Sequence, residues 1–107
     1  MNIDLLRAQC GGPRDGALLR FALGNALLNA GDHGAAIGEL RQALVFDPTY
    51  SAAWKLLGKA CLAAGDADAA GDAWRQGIDA ARRHGDKQAE KEMDVFLRRL
   101  DRAGGTP

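Results

Sequence analysis

Apolar residues recur along this chain every three or four positions, which is the period of one face of an α-helix. The first two runs are formed by Leu19, Leu23 and Leu27, and then by Ala36, Ile37, Leu40, Ala43 and Leu44. The next two are formed by Trp54, Leu57 and Cys61, and then by Ala70, Trp74, Gly77, Ile78 and Ala81. The sequence lacks the strict apolar–polar alternation that indicates a β-strand. The pattern therefore predicts an all-α fold.

The two halves of this pattern are copies of one unit. The segment LGNALLNAGDHGAA at residues 23–36 and the segment LGKACLAAGDADAA at residues 57–70 are identical at nine of fourteen positions and begin 34 residues apart. Self-similarity at a period of about 20–50 residues is typical of proteins that stack one supersecondary unit on the next. Because each copy contains two apolar runs, we expect two pairs of helices.

Glycine–aspartate pairs indicate where these helices end and begin. Glycine can adopt the left-handed conformation that closes a helix, and aspartate can accept hydrogen bonds from the first free N–H groups of the next. A different start is predicted for the second unit, with Asp47 as the cap and Pro48 in the first turn. The glycine–aspartate pairs are Gly31-Asp32, Gly65-Asp66 and Gly85-Asp86.

Two glycines occupy matching places inside the first helix of each unit. Gly24 and Gly58 each cost about 1 kcal/mol of helix stability relative to alanine. A cost at matching positions suggests that another helix comes close to the backbone there. Ala36 and Ala70 are interpreted in the same way, as contact points between the paired helices.

These residues resemble the tetratricopeptide repeat, whose pattern is W-x2-L-G-x2-Y, then a small Ala, an aromatic or large apolar residue, a further Ala and a Pro. The resemblance covers about residues 15–84. Arg20 departs from the pattern because it occupies the Trp place of the first unit, and Gly77 and Arg82 replace the later Ala and Pro of the second. The matching residues are Leu23, Gly24, Leu27, Ala36, Leu40, Ala43 and Pro48, and then Trp54, Leu57, Gly58, Cys61, Ala70 and Trp74.

The resemblance implies a right-handed stack of antiparallel helix hairpins. The first helix of each pair would line a concave groove that binds peptides or protein segments and carries no catalytic apparatus. Isolated repeats cannot bury their apolar faces, so covering segments are expected at both ends. We expect an N-terminal covering segment at 1–12, with a short helix bearing Ile3, Leu6 and Cys10, a first repeat at 15–50, a second at 51–84, a capping helix at 86–102 and a frayed tail at 103–107.

If the resemblance holds, one side of the first helices is the candidate binding site. Apolar side chains there would anchor a partner, amides would bond a peptide backbone, and lysines would favour an acidic or C-terminal carboxylate group. The alternatives are that Phe21 and Leu28 pack against the N-terminal segment or a neighbouring helix, and that the lysines are a solvated face. The candidates are Phe21, Asn25, Leu28, Asn29, Lys55, Lys59 and Leu62, with Tyr50 at the junction of the units.

Some members of the family clamp a carboxylate with Lys and Asn at set places over three repeats. Of those places only Asn25 matches here, because Phe21 occupies the place of the first Lys and Leu56 that of the second repeat's Asn. The partner implied is therefore a protein or peptide of unknown identity. The alternative is a self-assembling structural unit, in which the chain completes its core as a homodimer.

Composition argues against several other functions. Lys plus Arg and Asp plus Glu number 14 each, so the formal net charge is zero and no global excess of positive charge is present for binding nucleic acid. No segment approaches the ~18–20 apolar residues of a membrane span, and the N-terminus lacks the features of a secretory signal. With only two cysteines, Cys10 and Cys61, free thiols and a cytoplasmic location are favoured. His33 and His84 have no partners at metal-ligand spacing, and neither enzyme activity nor a cofactor is expected.

Overall fold

Helices account for most of residues 2–104, the part of the chain that the computed structural model describes. No β-strand occurs in that range, so the prediction of an all-α fold is confirmed. Residues 105–107 of the tail expected to be frayed, and Met1, lie outside the described range. The helices are α1 (Ile3–Ala8), α2 (Ala17–Asn29), α3 (His33–Phe46), α4 (Ser51–Ala63), α5 (Ala67–His84) and α6 (Lys87–Gly104).

The helices form two hairpins that stack in chain order. Helix α2 packs along α3 and α4 along α5, and the short loops at 30–32 and 64–66 make each pair antiparallel. The hairpins meet where α3 packs on α4, and α6 packs on α5 and α4. Helices α2, α4 and α6 also contact one another in sequence, so the first helices lie side by side along one flank of the stack.

Left-handed turns and aspartate caps occur at the glycine–aspartate pairs, as predicted. Gly31, Gly65 and Gly85 have φ angles of 84°, 87° and 71°, in the region that favours glycine. The aspartate after each glycine accepts a hydrogen bond from the backbone N–H three residues further on, at 3.3, 3.0 and 3.1 Å. The same dipeptide thus ends one helix and begins the next at three places in the stack.

The start of α4 differs from the prediction. The helix begins at Ser51 and its N-cap is Tyr50, so Asp47 does not cap it and Pro48 does not lie in its first turn. The Asp47 carboxylate instead accepts hydrogen bonds from the backbone N–H and the hydroxyl of Thr49, at 3.0 and 2.6 Å. An aspartate that accepts hydrogen bonds from the residue two positions ahead closes a local turn. Asp47 forms this turn with Thr49 instead of capping α4.

Glycine allows the paired helices to approach closely. A Cβ atom at Gly24 would lie 2.7 Å from Cγ of Leu40, and a Cβ atom at Gly58 would collide with the indole ring of Trp74. Leu40 and Trp74 are equivalent residues of the two units and are both almost fully buried. The predicted close approach at both glycines is therefore confirmed, and it occurs within each hairpin, between its first and second helix.

The core is continuous from α3 to α6. Within it Trp74 is 2% exposed and donates a hydrogen bond from Nε1 to the carbonyl oxygen of Lys55, at 3.1 Å. Met93 of α6 is fully buried. The buried members are Leu40, Ala43, Leu44, Ala53, Leu57, Ala60, Cys61, Ala70, Ala73, Trp74, Ile78, Ala81, Ala89 and Met93.

Both ends of the stack are covered. At the N-terminal end a smaller cluster of Leu23, Leu27 and Ala36 is overlaid by Ile3, Leu6 and Cys10, which belong to α1 and the turn after it. At the C-terminal end α6 covers α5 with the apolar stripe that its sequence indicates, Ala89, Met93, Phe96, Leu97 and Leu100. Within residues 2–104, α1 and α6 thus cap a stack of two hairpins.

An ionic cluster replaces the aromatic residue that the first unit lacks. Arg20 lies at the place that Trp54 occupies in the second unit, and its guanidinium pairs with Asp15 and Glu39, each at 2.8 Å. The hydrogen bonds from Arg20 and from the Gly11 N–H hold the pKa of the Asp15 carboxyl well below its usual range. The residue equivalent to Glu39 in the second unit is Ala73, so the carboxylate that pairs with Arg20 has no counterpart at that position.

Replacing Gly58 by alanine tests the close approach of the helices. We expect Gly58→Ala to lower the free energy of unfolding by about 1–3 kcal/mol, because the methyl group overlaps the Trp74 ring and the core must shift. Gly38→Ala is the matched control, since nothing lies within 4 Å of a Cβ atom there and α3 would gain about 0.5–1 kcal/mol of helix propensity. Urea unfolding followed by circular dichroism measures both; equal stabilisation by the two changes would refute the tight contact.

Asp86 predicts a pH dependence of stability. The Ala89 N–H and the Ser51 hydroxyl donate to its carboxylate and hold its pKa below the ordinary value of an aspartate. Because the folded pKa is the lower one, the stabilisation is complete above the unfolded pKa of about 3.9 and is lost as the pH falls through the folded value. In the variant Asp86→Asn the side-chain oxygen can still cap α6, but the side chain no longer titrates. The difference in unfolding free energy between the two proteins should therefore shrink as the pH falls below the unfolded pKa of about 3.9; a constant difference would contradict the assignment.

Candidate functional site

The flank formed by α2, α4 and α6 carries the side chains predicted to bind a partner. We call this surface the groove. Phe21, Asn25, Leu28 and Asn29 lie on α2, and Lys55, Lys59 and Leu62 lie on α4, with Tyr50 immediately before α4. Four of these eight are exposed and four are half-buried, so their possible roles differ.

The half-buried aromatic residues pack on each other. The ring centroids of Phe21 and Tyr50 are 5.1 Å apart with an interplanar angle of 30°, and both rings lie against the main core. Burial raises the pKa of Tyr50, so its phenol is neutral at physiological pH. Leu28 packs against both core clusters. These three residues form the floor of the groove, and Phe21 packs on Tyr50, the N-cap residue of α4.

Two exposed amides follow on α2. Asn25 and Asn29 are one helical turn apart and are both exposed. Neither side chain hydrogen-bonds to another residue within the described part of the chain, so their donors and acceptors are open to solvent. A side-chain amide can satisfy both the N–H and the C=O of an extended peptide, which makes this pair suited to binding a backbone.

The two lysines of α4 differ in their surroundings. Lys55 Nζ lies 2.9 Å from Oε1 of Glu92 on α6, and this hydrogen bond lowers the pKa of the Glu92 carboxyl. Lys59 is exposed and its ammonium lies 5.0 Å from the centroid of the Phe96 ring. Lys55 therefore ties α4 to α6, whereas Lys59 offers a positive charge to solvent over an aromatic ring.

An open cavity of about 540 Å³ lies between α4 and α6. Leu62, which is 45% exposed, contributes to its wall, and Lys59 and Arg99 are its charged members. Most of the lining is apolar, which is the usual make-up of a site that holds the side chain of a ligand. The lining residues are Lys59, Leu62, Ala63, Trp74, Phe96, Arg99, Leu100 and Ala103.

The contribution of α6 to the groove is absent from the sequence-based prediction. Phe96 and Arg99 line the cavity, and Glu92 pairs with Lys55. The three residues follow at i, i+4 and i+7 and so share one side of α6. The signal was present in the chain, because a capping helix that packs on α5 must also lie beside α4 and present a face to the groove.

The remaining candidate chemistry of the chain lies elsewhere. Cys61 is 1% exposed, and burial raises the pKa of its thiol, so it is a protonated core residue at neutral pH. His33 begins α3 and His84 ends α5. Among residues 2–104 no three His, Cys, Asp or Glu side chains are grouped so that they could hold a metal ion. No helix of the described chain is both long and apolar enough to cross a bilayer.

Comparison with known proteins agrees with this architecture. A sequence profile described as tetratricopeptide repeat matches residues 4–51 and, in an overlapping register, residues 21–86. The chain belongs to the tetratricopeptide repeat family. Tetratricopeptide repeats are in general non-catalytic modules that bind other proteins. Membership therefore establishes the general class of function, that of a protein–protein interaction module.

Individual proteins similar to this chain cover most of its length. TPR repeat-containing protein PA0015 of Pseudomonas aeruginosa is 61% identical over 89 residues, which are 83% of this chain and 85% of that protein. The solution structure of protein BPP2914 from Bordetella parapertussis has a TM-score of 0.83 at 46% identity and covers 96% of this chain and 90% of its own. The TPR domain of Sgt2 from Aspergillus fumigatus has a TM-score of 0.70 at 27% identity, covering 98% and 72%. The expected helix-hairpin stack of the repeat family is thus confirmed.

Proposed function

We propose that this tetratricopeptide repeat protein binds a peptide, or an extended segment of another protein, along the groove of α2, α4 and α6. The observation that carries the proposal is that this flank combines open hydrogen-bonding groups, exposed apolar surface and a cavity. They are the open amides of Asn25 and Asn29, the exposed side chain of Leu62 and the cavity beside it.

The groove residues divide into two roles under this proposal. Phe21, Leu28 and Tyr50 form the floor. Lys55 forms an ion pair with Glu92 that joins α4 to α6, so these residues shape the site. The contacts with the partner are made by the exposed residues. Asn25 and Asn29 bond its backbone, while Lys59 and Leu62 engage its side chains near the cavity. A floor that is already packed costs little entropy to order on binding, which favours affinity.

Peptide selection followed by mutation tests the groove. We expect peptides selected from a displayed random library on the wild-type chain to shift the NMR signals of Asn25, Asn29, Lys59 and Leu62. Asn25→Ala combined with Leu62→Ala should weaken their binding by about 10- to 100-fold, because the two lost contacts together are expected to cost about 1.4–2.8 kcal/mol. Arg83→Ala on the outer face of α5 is the control and should leave the affinity unchanged. Signals that move only on α3 and α5 would refute the groove as the site.

Self-association is a second candidate function, and exposed apolar side chains favour it. Leu18, Val45 and Phe46 are 72%, 73% and 47% exposed. Because α1 and α6 cover the two ends of the stack, a homodimer would use the sides of the molecule rather than complete an open core. Val45 and Phe46 are consecutive residues at the end of α3, and exposed apolar surface of this kind commonly marks an interface.

A homodimer predicts a molecular mass that depends on concentration. Light scattering should then show the mass rising from 11.3 kDa towards twice that value, and Val45→Lys with Phe46→Lys should restore the monomer. The double change is expected to leave the fold intact because both side chains are exposed at the end of α3. A constant mass of one chain at all concentrations would eliminate this function.

A further inference from the structure

The cavity between α4 and α6 combines an apolar wall with positive charge. Leu62, Phe96 and Leu100 supply apolar surface, and Lys59 and Arg99 belong to the same lining. A neutral aliphatic ligand would leave both charges unused, whereas an apolar group that carries a carboxylate beside it would satisfy both parts of the site. The composition of the lining therefore discriminates between classes of partner.

Neither cation of the cavity forms an ion pair within the described part of the chain. Lys59 and Arg99 have no carboxylate of residues 2–103 within 4.0 Å; the Lys59 ammonium lies over the Phe96 ring and acts on the Glu92 carboxylate, which Lys55 already pairs with, only at longer range. The neighbouring residues behave differently, since Lys55 is paired with Glu92 at 2.9 Å and Arg98 with an aspartate one turn before it at 3.0 Å. Positive charge is thus left over at the cavity in a chain whose total charge is zero.

We propose that the cavity binds an acidic segment of a partner protein, in which a bulky apolar side chain enters between α4 and α6 and flanking carboxylates pair with Lys59 and Arg99. This inference rests on the proposed function, because it specifies which segments the groove selects. The apolar side chain provides affinity by leaving water, and the two charge-assisted hydrogen bonds provide selectivity against neutral and basic segments.

Selection of peptides on charge-reversed variants tests the inference. The probe is a displayed library of short random peptides, selected in parallel on the wild-type chain and on Lys59→Glu combined with Arg99→Glu. We expect the wild type to enrich peptides in which acidic residues flank a large apolar one, and the variant to lose them. The affinity of a synthetic peptide of the enriched sequence should fall at least about 10-fold in the variant, and in the wild type it should fall as salt is added.

Matched controls separate this inference from the proposed function. Lys87→Glu combined with Lys91→Glu makes the same change of charge on α6 outside the cavity and should leave peptide affinity within about twofold. If the charge-reversed variant does not fold by circular dichroism, Lys59→Gln with Arg99→Gln replaces it. Neutral or basic peptides that bind in the groove would overturn the acidic partner and leave the proposed function standing. Enriched peptides that bind independently of Asn25 and Leu62 would overturn both.

Discussion

The contact between a glycine of each first helix and a large side chain of the second determines how the stack is built. Gly24 against Leu40 and Gly58 against Trp74 repeat the same contact 34 residues apart, so both hairpins close with the same spacing. Because the hairpins are alike, one packs on the next with its first helix beside the previous first helix. The groove is a consequence of this regularity, because stacking similar hairpins places α2, α4 and α6 side by side.

Ion pairs and hydrogen bonds stabilise the stack in the first unit, where the repeats differ, and at the contact between α4 and α6. In the first unit Arg20 fills the Trp place and is held by two carboxylates. At the other end the Asp86 carboxylate caps α6 and accepts a hydrogen bond from Ser51 at the start of α4, at 2.8 Å. Lys55 and Glu92 join the same two helices further along. Two polar contacts therefore fix α6 beside α4, and the cavity lies where these helices continue past them.

Much of the fold could be predicted from sequence because it depends on local signals and on repetition. The glycine–aspartate pairs specify turns by backbone conformation and capping, and the 34-residue interval predicts that the units pack alike. The start of α4 could not be predicted in this way, because Asp47 can either cap a helix or bond Thr49 two residues ahead, and both patterns are local. Competition between two local hydrogen bonds is resolved only by the packing around them.

The site was less predictable than the fold because it depends on which helix lies beside which. Asn25, Asn29, Lys59 and Leu62 could be placed on one face by helical period, and they are exposed there. Burial of Phe21 by Tyr50 and pairing of Lys55 with Glu92 join segments distant in sequence, which a periodic pattern does not reveal.

Nuclear Overhauser effects measured in solution test most directly whether close packing at the glycines brings the helices of the groove together. We expect nuclear Overhauser effects between the α protons of Gly58 and the indole of Trp74, together with effects between the side chain of Lys59 and the ring of Phe96. Finding the first set without the second would contradict this expectation, because the hairpin would then close without bringing α6 alongside α4.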